Sequence, residues 1–106
     1  MGDKEYVHYL SPAREDRLRY FHTREHKRII RFVVQYEAFI AGDWRAIVRY
    51  DTAHGRPHKD ILHPDGTEDK QEFPGYPPEE VLTPGGRDIK TNWPRYRAAY
   101  EQEIQA

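Results

Sequence analysis

Apolar and polar residues alternate through the middle of the chain, most regularly over residues 31–40. The apolar positions there are Phe32, Val34, Tyr36, Ala38 and Ile40. Such period-two alternation, rich in β-branched and aromatic residues, is typical of a strand with one buried face. The pattern returns over residues 44–51, where the apolar face is Trp44, Ala46, Val48 and Tyr50. Ala41-Gly42-Asp43 between the two segments indicates a turn.

Two further strands are expected after this pair. One runs from about His58 to His63, and a less regular one runs from Glu68 to about Phe73. Between them, the Asp-Gly of residues 64–67 supplies the positive φ that a tight hairpin needs. Consecutive strands joined by short turns pair antiparallel, because parallel strands need long crossovers. The pattern therefore predicts a four-stranded antiparallel β-meander over residues 28–73.

Both ends of the chain are expected to add helix to this sheet. Ser11-Pro12 is typical of a helix start, so a short helical segment is predicted within the N-terminal arm, residues 1–27, and the sequence leaves open whether this arm is ordered. Prolines and glycines indicate a loop over residues 74–91. Apolar residues at helical spacing predict a helix over residues 92–105, packed on one face of the sheet. We expect it to start near Asn92, because Pro94 would disrupt a helix interior.

Composition narrows the class of protein. A length of 106 residues favours a single domain, here of the α+β class. The absence of cysteine excludes disulfides, zinc–thiolate sites and cysteine nucleophiles. No apolar run approaches the roughly 20 residues of a membrane-spanning helix, and no signal region is visible, so a cytoplasmic location without membrane contact is expected. The thin, aromatic-rich core of so small a chain is also compatible with a homodimer that covers more of it.

Charge is balanced overall but uneven along the chain. The net charge of −1 gives no global electrostatic case for nucleic-acid binding. Residues 14–31 are nevertheless mainly basic, and residues 65–80 are mainly acidic. Tyr20 and Phe21 lie among arginines in the basic stretch, and aromatic rings interleaved with arginine can stack on bases. The plainer alternative is a pair of solvated faces, with the two aromatics in the core.

Residues capable of chemistry concentrate between Arg49 and Gly66. One hypothesis is metal-free cleavage of RNA by its own 2′-hydroxyl, which needs a base, an acid and a cation for the developing charge. His54 and His58 are the acid–base candidates, and Asp51 would orient a histidine. The cations that would stabilise the developing charge are Arg49, Arg56 and Lys59. No cofactor is expected for this chemistry.

A metal site is a second hypothesis for the same segment. Its ligands would be His54, His58 and His63 with Asp60 or Asp51, which are donors of the right kind. Strand alternation places His58 and Asp60 on one face and His63 on the other, so the three histidines cannot all converge from the strand. A third interpretation is structural, with these side chains bonding the turn and the neighbouring strands.

The segments 32–38, 49–55 and 62–66 together resemble a family of short prokaryotic proteins of unknown function, over roughly residues 28–104. More distantly, Arg49-Tyr50-Asp51 and the histidines after it are similar to TumE-type toxins of toxin–antitoxin pairs. That family has Asn where this chain has Thr52, and its histidines are spaced differently. The second resemblance implies a toxin-like protein that acts on RNA.

The function hypotheses thus stand in order. The leading one is a small toxin-like, RNA-acting protein, with RNA or a cognate antitoxin as its partner. The first alternative is a non-catalytic protein-interaction or dimerisation domain, in which the same hairpin only shapes the surface. The second alternative is a small metal-binding protein with histidine and aspartate ligands. An enzyme should hold the histidines and cations around one cleft, whereas a binding module should show them dispersed beside an exposed apolar or aromatic patch.

Overall fold

The computed structural model describes residues 2–105, with His54 described by its backbone alone. Within this range the chain is α+β, with a six-stranded antiparallel sheet and one α-helix. The strands are adjacent in chain order, and the helix, α1, spans Pro78–Gln105. The strands are β1 (Gly2–Tyr9), β2 (Asp16–Glu25), β3 (Arg28–Ile40), β4 (Asp43–Asp51), β5 (His58–Leu62) and β6 (Glu68–Glu72). A single 3₁₀ turn, Ala53–Gly55, lies between β4 and β5.

The expected four-stranded meander is wrong in strand number, because the sheet also contains β1 and β2, which precede the four expected strands. The expected N-terminal helical segment is absent from the described residues. Ser11 instead starts a tight connection between β1 and β2, in which the Arg14 N–H donates to the Ser11 carbonyl at 3.0 Å. The local helix-start signal is overridden because residues 16–25 have their own two-residue alternation, with Leu18 facing the core.

The C-terminal helix exists as predicted, but its expected start at Asn92 is wrong, because it begins at Pro78. Most of the stretch 74–91 is therefore helix rather than loop. A proline suits the first helical turn because N–H groups there have no hydrogen-bond partner within the helix. The negative charges of Glu79 and Glu80 are also favourable in this turn, since the N-terminal end of the helix dipole is positive. The helix continues through Pro84 and Pro94.

The core lies between the sheet and α1. The alternating residues of β3 predicted to share a face are all buried: Phe32, Val34, Tyr36, Ala38 and Ile40. α1 contributes Val81, Leu82, Ile89 and Tyr100. Gly85 allows the closest approach, since a Cβ there would lie 2.8 Å from the Tyr50 ring.

A β-bulge opposite Tyr36–Glu37 changes the alternation of β4. Val48 and Tyr50 are in the core as expected, but Trp44 is not. The Arg17 guanidinium lies 3.8 Å from the centre of the Trp44 ring. Trp44 therefore packs against the charged side chain of Arg17 instead of lying in the core.

The sheet has two faces with different surroundings. The helix-covered face carries Tyr50, Lys59 and His63, whose side chains reach residues of α1. The opposite face, called the open face below, carries Asp51 and Asp60 among others, by alternation along β4 and β5. In the described part of the chain, no helix is long and apolar enough to span a membrane.

Candidate functional site

The β4–β5 hairpin brings Asp51, His58 and Asp60 together on the open face. Asp51 ends β4, His58 begins β5, and the two are direct cross-strand partners. Asp60 follows two residues later and so points the same way. This confirms the predicted pairing of His58 and Asp60 on one face, and it adds Asp51 to them.

Both carboxylates meet the same nitrogen of the histidine. His58 Nε2 lies 2.7 Å from Asp51 Oδ1 and 3.2 Å from Asp60 Oδ2. The three residues are 8 %, 6 % and 3 % exposed, respectively, although α1 packs on the other face of the sheet. One ligand atom from each of the three lies within 4.8 Å of the other two. We call these three residues the acid–histidine cluster.

The second nitrogen of His58 defines its tautomer. His58 Nδ1 lies 3.2 Å from the Arg56 carbonyl oxygen, which can only accept a hydrogen bond. Nδ1 therefore carries a hydrogen and donates it. In the neutral ring, the Nε2 lone pair then points at two carboxylate oxygens. Three acceptor atoms converge there, so the point between them must hold a proton or a metal cation.

Asp60 has one oxygen without a counterpart. Its Oδ1 is buried and has no hydrogen-bond partner among the described residues. Asp51 is better satisfied, since its Oδ1 also accepts the Ala53 N–H at 3.1 Å. A buried carboxylate oxygen without a partner costs free energy, and native proteins usually relieve that cost with a water or an ion. This oxygen is not the one that faces His58, since Oδ2 makes that contact.

The cations of the predicted catalytic set are not gathered around His58. Arg49 is on the open face, where its Nε donates to Gln35 Oε1 at 2.7 Å. Arg56 has an exposed side chain and serves His58 through its backbone carbonyl. Lys59 is on the helix-covered face, where its Nζ donates to Tyr96 OH at 2.8 Å. The side chain of His54 lies outside the described residues.

His63 belongs to a different group. Its Nδ1 lies 2.9 Å from Glu103 on α1, and its Nε2 lies 2.9 Å from Asp69 on β6. The hydrogen bonds with Glu103 and Asp69 raise the pKa of His63 above its ordinary value. His63 therefore does not lie with His58 and Asp60, although the predicted metal site included all three residues among its ligands.

A second polar group was not predicted from the sequence. Asp88 accepts hydrogen bonds from Tyr50 OH at 2.6 Å, Tyr96 OH at 2.7 Å and Asn92 Nδ2 at 2.7 Å. Burial raises the pKa of Asp88, but these hydrogen bonds outweigh it and leave the pKa below its ordinary value. The spacing of Asp88, Asn92 and Tyr96 at positions i, i+4 and i+8 could have predicted this group, because residues four apart are neighbours on one face of a helix. The three hydrogen bonds to Asp88 and the one from Lys59 Nζ to Tyr96 OH lie within the protein, which favours a structural role.

Comparison with known proteins gives a family and no activity. The model of a domain of unknown function, DUF7718, matches residues 1–106, so the chain belongs to that family. No curated protein and no solved structure matches the chain. Membership of a family of unknown function agrees with the first resemblance to that extent, while the distant resemblance to TumE-type toxins gains no support.

Proposed function

We propose that this member of the DUF7718 family binds one divalent transition-metal ion through Asp51, His58 and Asp60. The observation that carries the proposal is the convergence of three acceptor atoms on one buried point. His58 Nε2 and one oxygen from each aspartate face one another at hydrogen-bond distance or slightly beyond. A metal ion there would satisfy all three at once.

The distances suit a metal ion. Ligand atoms bound at about 2.1 Å lie about 3 Å apart when they subtend a right angle at the metal. The observed separations of 2.7 and 3.2 Å from His58 Nε2 bracket that value. Small side-chain shifts would therefore turn the cluster into one side of a coordination sphere, with the remaining positions left for water or another ligand.

The surroundings of His58 suit a metal ligand as well. A metal-binding histidine usually donates its other ring N–H to a carboxylate or a backbone carbonyl, which fixes the tautomer. The contact between His58 Nδ1 and the Arg56 carbonyl has that arrangement. Among the described residues, His58 is also the one basic side chain within 4.0 Å of Asp51 or Asp60. A divalent ion would balance the two buried negative charges.

The donor set indicates which ions to expect. Imidazole nitrogen suits zinc, iron and nickel, whereas carboxylate oxygen suits manganese and the harder ions. One imidazole with two carboxylates therefore favours Zn²⁺ or Mn²⁺ over Mg²⁺ or Ca²⁺. No thiol is present to shift the preference toward softer metals.

Calorimetric titration with Zn²⁺, Mn²⁺ and Mg²⁺ tests the proposal on chelator-treated protein. We expect one equivalent of Zn²⁺ or Mn²⁺ to bind, with Mg²⁺ much weaker. Asp60→Asn should weaken binding by about 100-fold, because it removes a charged ligand. The matched control is Asp69→Asn, which removes the same charge beside the other clustered histidine, His63, and should change affinity by less than about twofold.

Two results would contradict the proposal. One is the absence of stoichiometric binding by folded wild-type protein. The other is an equal loss of affinity in Asp60→Asn and Asp69→Asn, which would show general electrostatic attraction rather than a built site. Thermal unfolding in the presence of chelator shows whether each variant is folded before it is titrated.

Metal-free RNA cleavage is the second candidate function. In its favour, the 2.7 Å contact between Asp51 and His58 is the orienting contact that this hypothesis requires. Against it, both ring nitrogens of His58 are engaged within the protein, so neither faces a substrate. RNA cleavage that persists in excess chelator and is lost in His58→Ala would favour this candidate over the metal site.

A non-catalytic interaction domain also has one feature in its support. Every residue of β1 is exposed, and the strand forms an edge of the sheet with Tyr6, Val7 and Tyr9 on its surface. Such an edge can pair with another strand. Light scattering of the purified chain measures whether it dimerises, and a Val7→Lys variant should then shift it to monomer.

A further inference from the structure

We propose that single-stranded nucleic acid binds in the groove between strands β1 and β2 and helix α1. This basic groove is lined by Tyr6 and Tyr20 from the strands and by three cations, Arg24, Arg87 and Lys90, and its volume is about 460 Å³. It lies on the helix-covered face, away from the acid–histidine cluster. The inference is independent of the metal site.

The cations of the groove are free to bind an anion. Arg24, Arg87 and Lys90 are all exposed, and no carboxylate oxygen of a described residue lies within 4.0 Å of their charged groups. None of the residues that line the groove is acidic. Glu79 lies nearby on the same helix, but Arg28 holds its carboxylate at 3.0 Å. This basic surface is local, since the chain as a whole carries a net charge of −1.

The positive potential acts on a neighbouring histidine. Burial lowers the pKa of His22, and the charges of Arg24 and Lys4 lower it further, while the charge of Asp3 raises it in part. The positive side chains therefore act on the same strip of β1 and β2. Charge of one sign along a groove attracts a phosphate backbone and steers its approach.

Aromatic rings lie beside these charges. Tyr6 stacks on Tyr20 with ring centres 4.5 Å apart and planes inclined by 15°. A hydrogen bond holds the Tyr20 ring in position, since its hydroxyl lies 2.6 Å from His22 Nδ1. Tyr6 is the outer ring of the stack and is 36 % exposed. An unpaired base could extend this stack while its phosphates meet the cations, which is the usual way that single strands are held.

The same features disfavour a duplex. Bases in a duplex are already stacked on each other, so an exposed tyrosine gains little from them. The proposal is therefore restricted to unpaired nucleic acid.

Fluorescence anisotropy with a labelled single-stranded RNA of mixed sequence tests the proposal, using the full chain in chelator. We expect Arg87→Glu to weaken binding by about tenfold, because it reverses a phosphate contact. Arg95→Glu is the matched control, with the same charge change at an exposed position of α1 that does not line the groove. It should change affinity by less than about twofold.

Two further measurements test the aromatic part and the basic part of the groove separately. Tyr6→Leu should weaken binding by about fivefold or more, because it removes a stacking surface. The logarithm of the binding constant should fall with the logarithm of salt with a slope of about −2, as three phosphate contacts require for a single strand. Asp60→Asn should bind RNA like the wild type, because the groove does not depend on the metal site.

Several outcomes would overturn the proposal. These are equal losses in Arg87→Glu and Arg95→Glu, tighter binding to duplex than to single strand, and an absence of binding at low salt. Binding to phosphatidylserine vesicles without binding to RNA would assign the groove to lipid headgroups instead. Lys90→Glu is a second groove variant in case Arg87→Glu fails to fold, which circular dichroism would reveal.

Discussion

Two histidines of this protein each lie between two carboxylates, and they differ in geometry and burial. In the acid–histidine cluster, Asp51 and Asp60 meet one nitrogen of His58, and the other nitrogen faces a backbone carbonyl. At His63, Glu103 meets one nitrogen and Asp69 meets the other. The side chain of His58 is 7 % exposed, whereas that of His63 is 21 % exposed and that of Asp69 is 75 % exposed.

The difference shows that the arrangement of donors matters more than their number. A charged imidazole satisfies both of its carboxylates at His63, because each ring nitrogen donates one hydrogen bond. No lone pair is left there for a metal ion. At His58, the carboxylates crowd around one nitrogen, and a buried oxygen of Asp60 has no partner among the described residues. A histidine with two carboxylates therefore forms an ion pair in one place and a candidate metal site in the other.

The largest expected difference between the two clusters is in stability. His58→Leu removes the ring nitrogen that both Asp51 and Asp60 contact and leaves the two buried carboxyl groups facing each other, which should cost about 3–5 kcal/mol of unfolding free energy. His63→Leu loses an exposed pair and should cost about 1 kcal/mol or less. Urea unfolding at neutral pH in chelator measures both. Equal losses in the two variants would contradict the distinction drawn between the clusters.

A smaller expected effect is the pH dependence of the His63 group. Because the pKa of His63 is raised on folding, its contribution to stability is complete below the unfolded pKa of about 6.5. The contribution is then lost as the pH rises through the folded pKa. The difference in unfolding free energy between wild type and His63→Gln should therefore be at most about 1 kcal/mol near pH 6 and disappear in mildly alkaline solution. A difference that grows with pH would contradict the assignment.

The sequence predicted the central sheet well because alternation there coincides with burial. β3, β4, β5 and β6 lie within a few residues of their expected positions. β1 and β2 were missed because their alternation involves tyrosine, histidine and arginine rather than aliphatic residues. Ser11-Pro12 also provided a strong local signal for a helix, and pairing of the two strands overrode it.

The candidate site was only partly visible in the sequence. Alternation placed His58 and Asp60 on one face and His63 on the other, and the structure confirms both placements. The convergence of Asp51 on His58 depends on the register set by the β4–β5 connection, which spacing alone does not give. The engagement of Lys59 by Tyr96 and Asp88 depends on where α1 packs, and tertiary packing of that kind leaves no periodic signal.

X-ray absorption spectroscopy of protein loaded with one equivalent of Zn²⁺ tests the central claim most directly. The account predicts one imidazole nitrogen and carboxylate oxygens at about 2.0–2.2 Å from the metal, with the same spectrum in His63→Gln. Two or more imidazoles, no imidazole at all, or a spectrum changed by His63→Gln would contradict a site built from Asp51, His58 and Asp60.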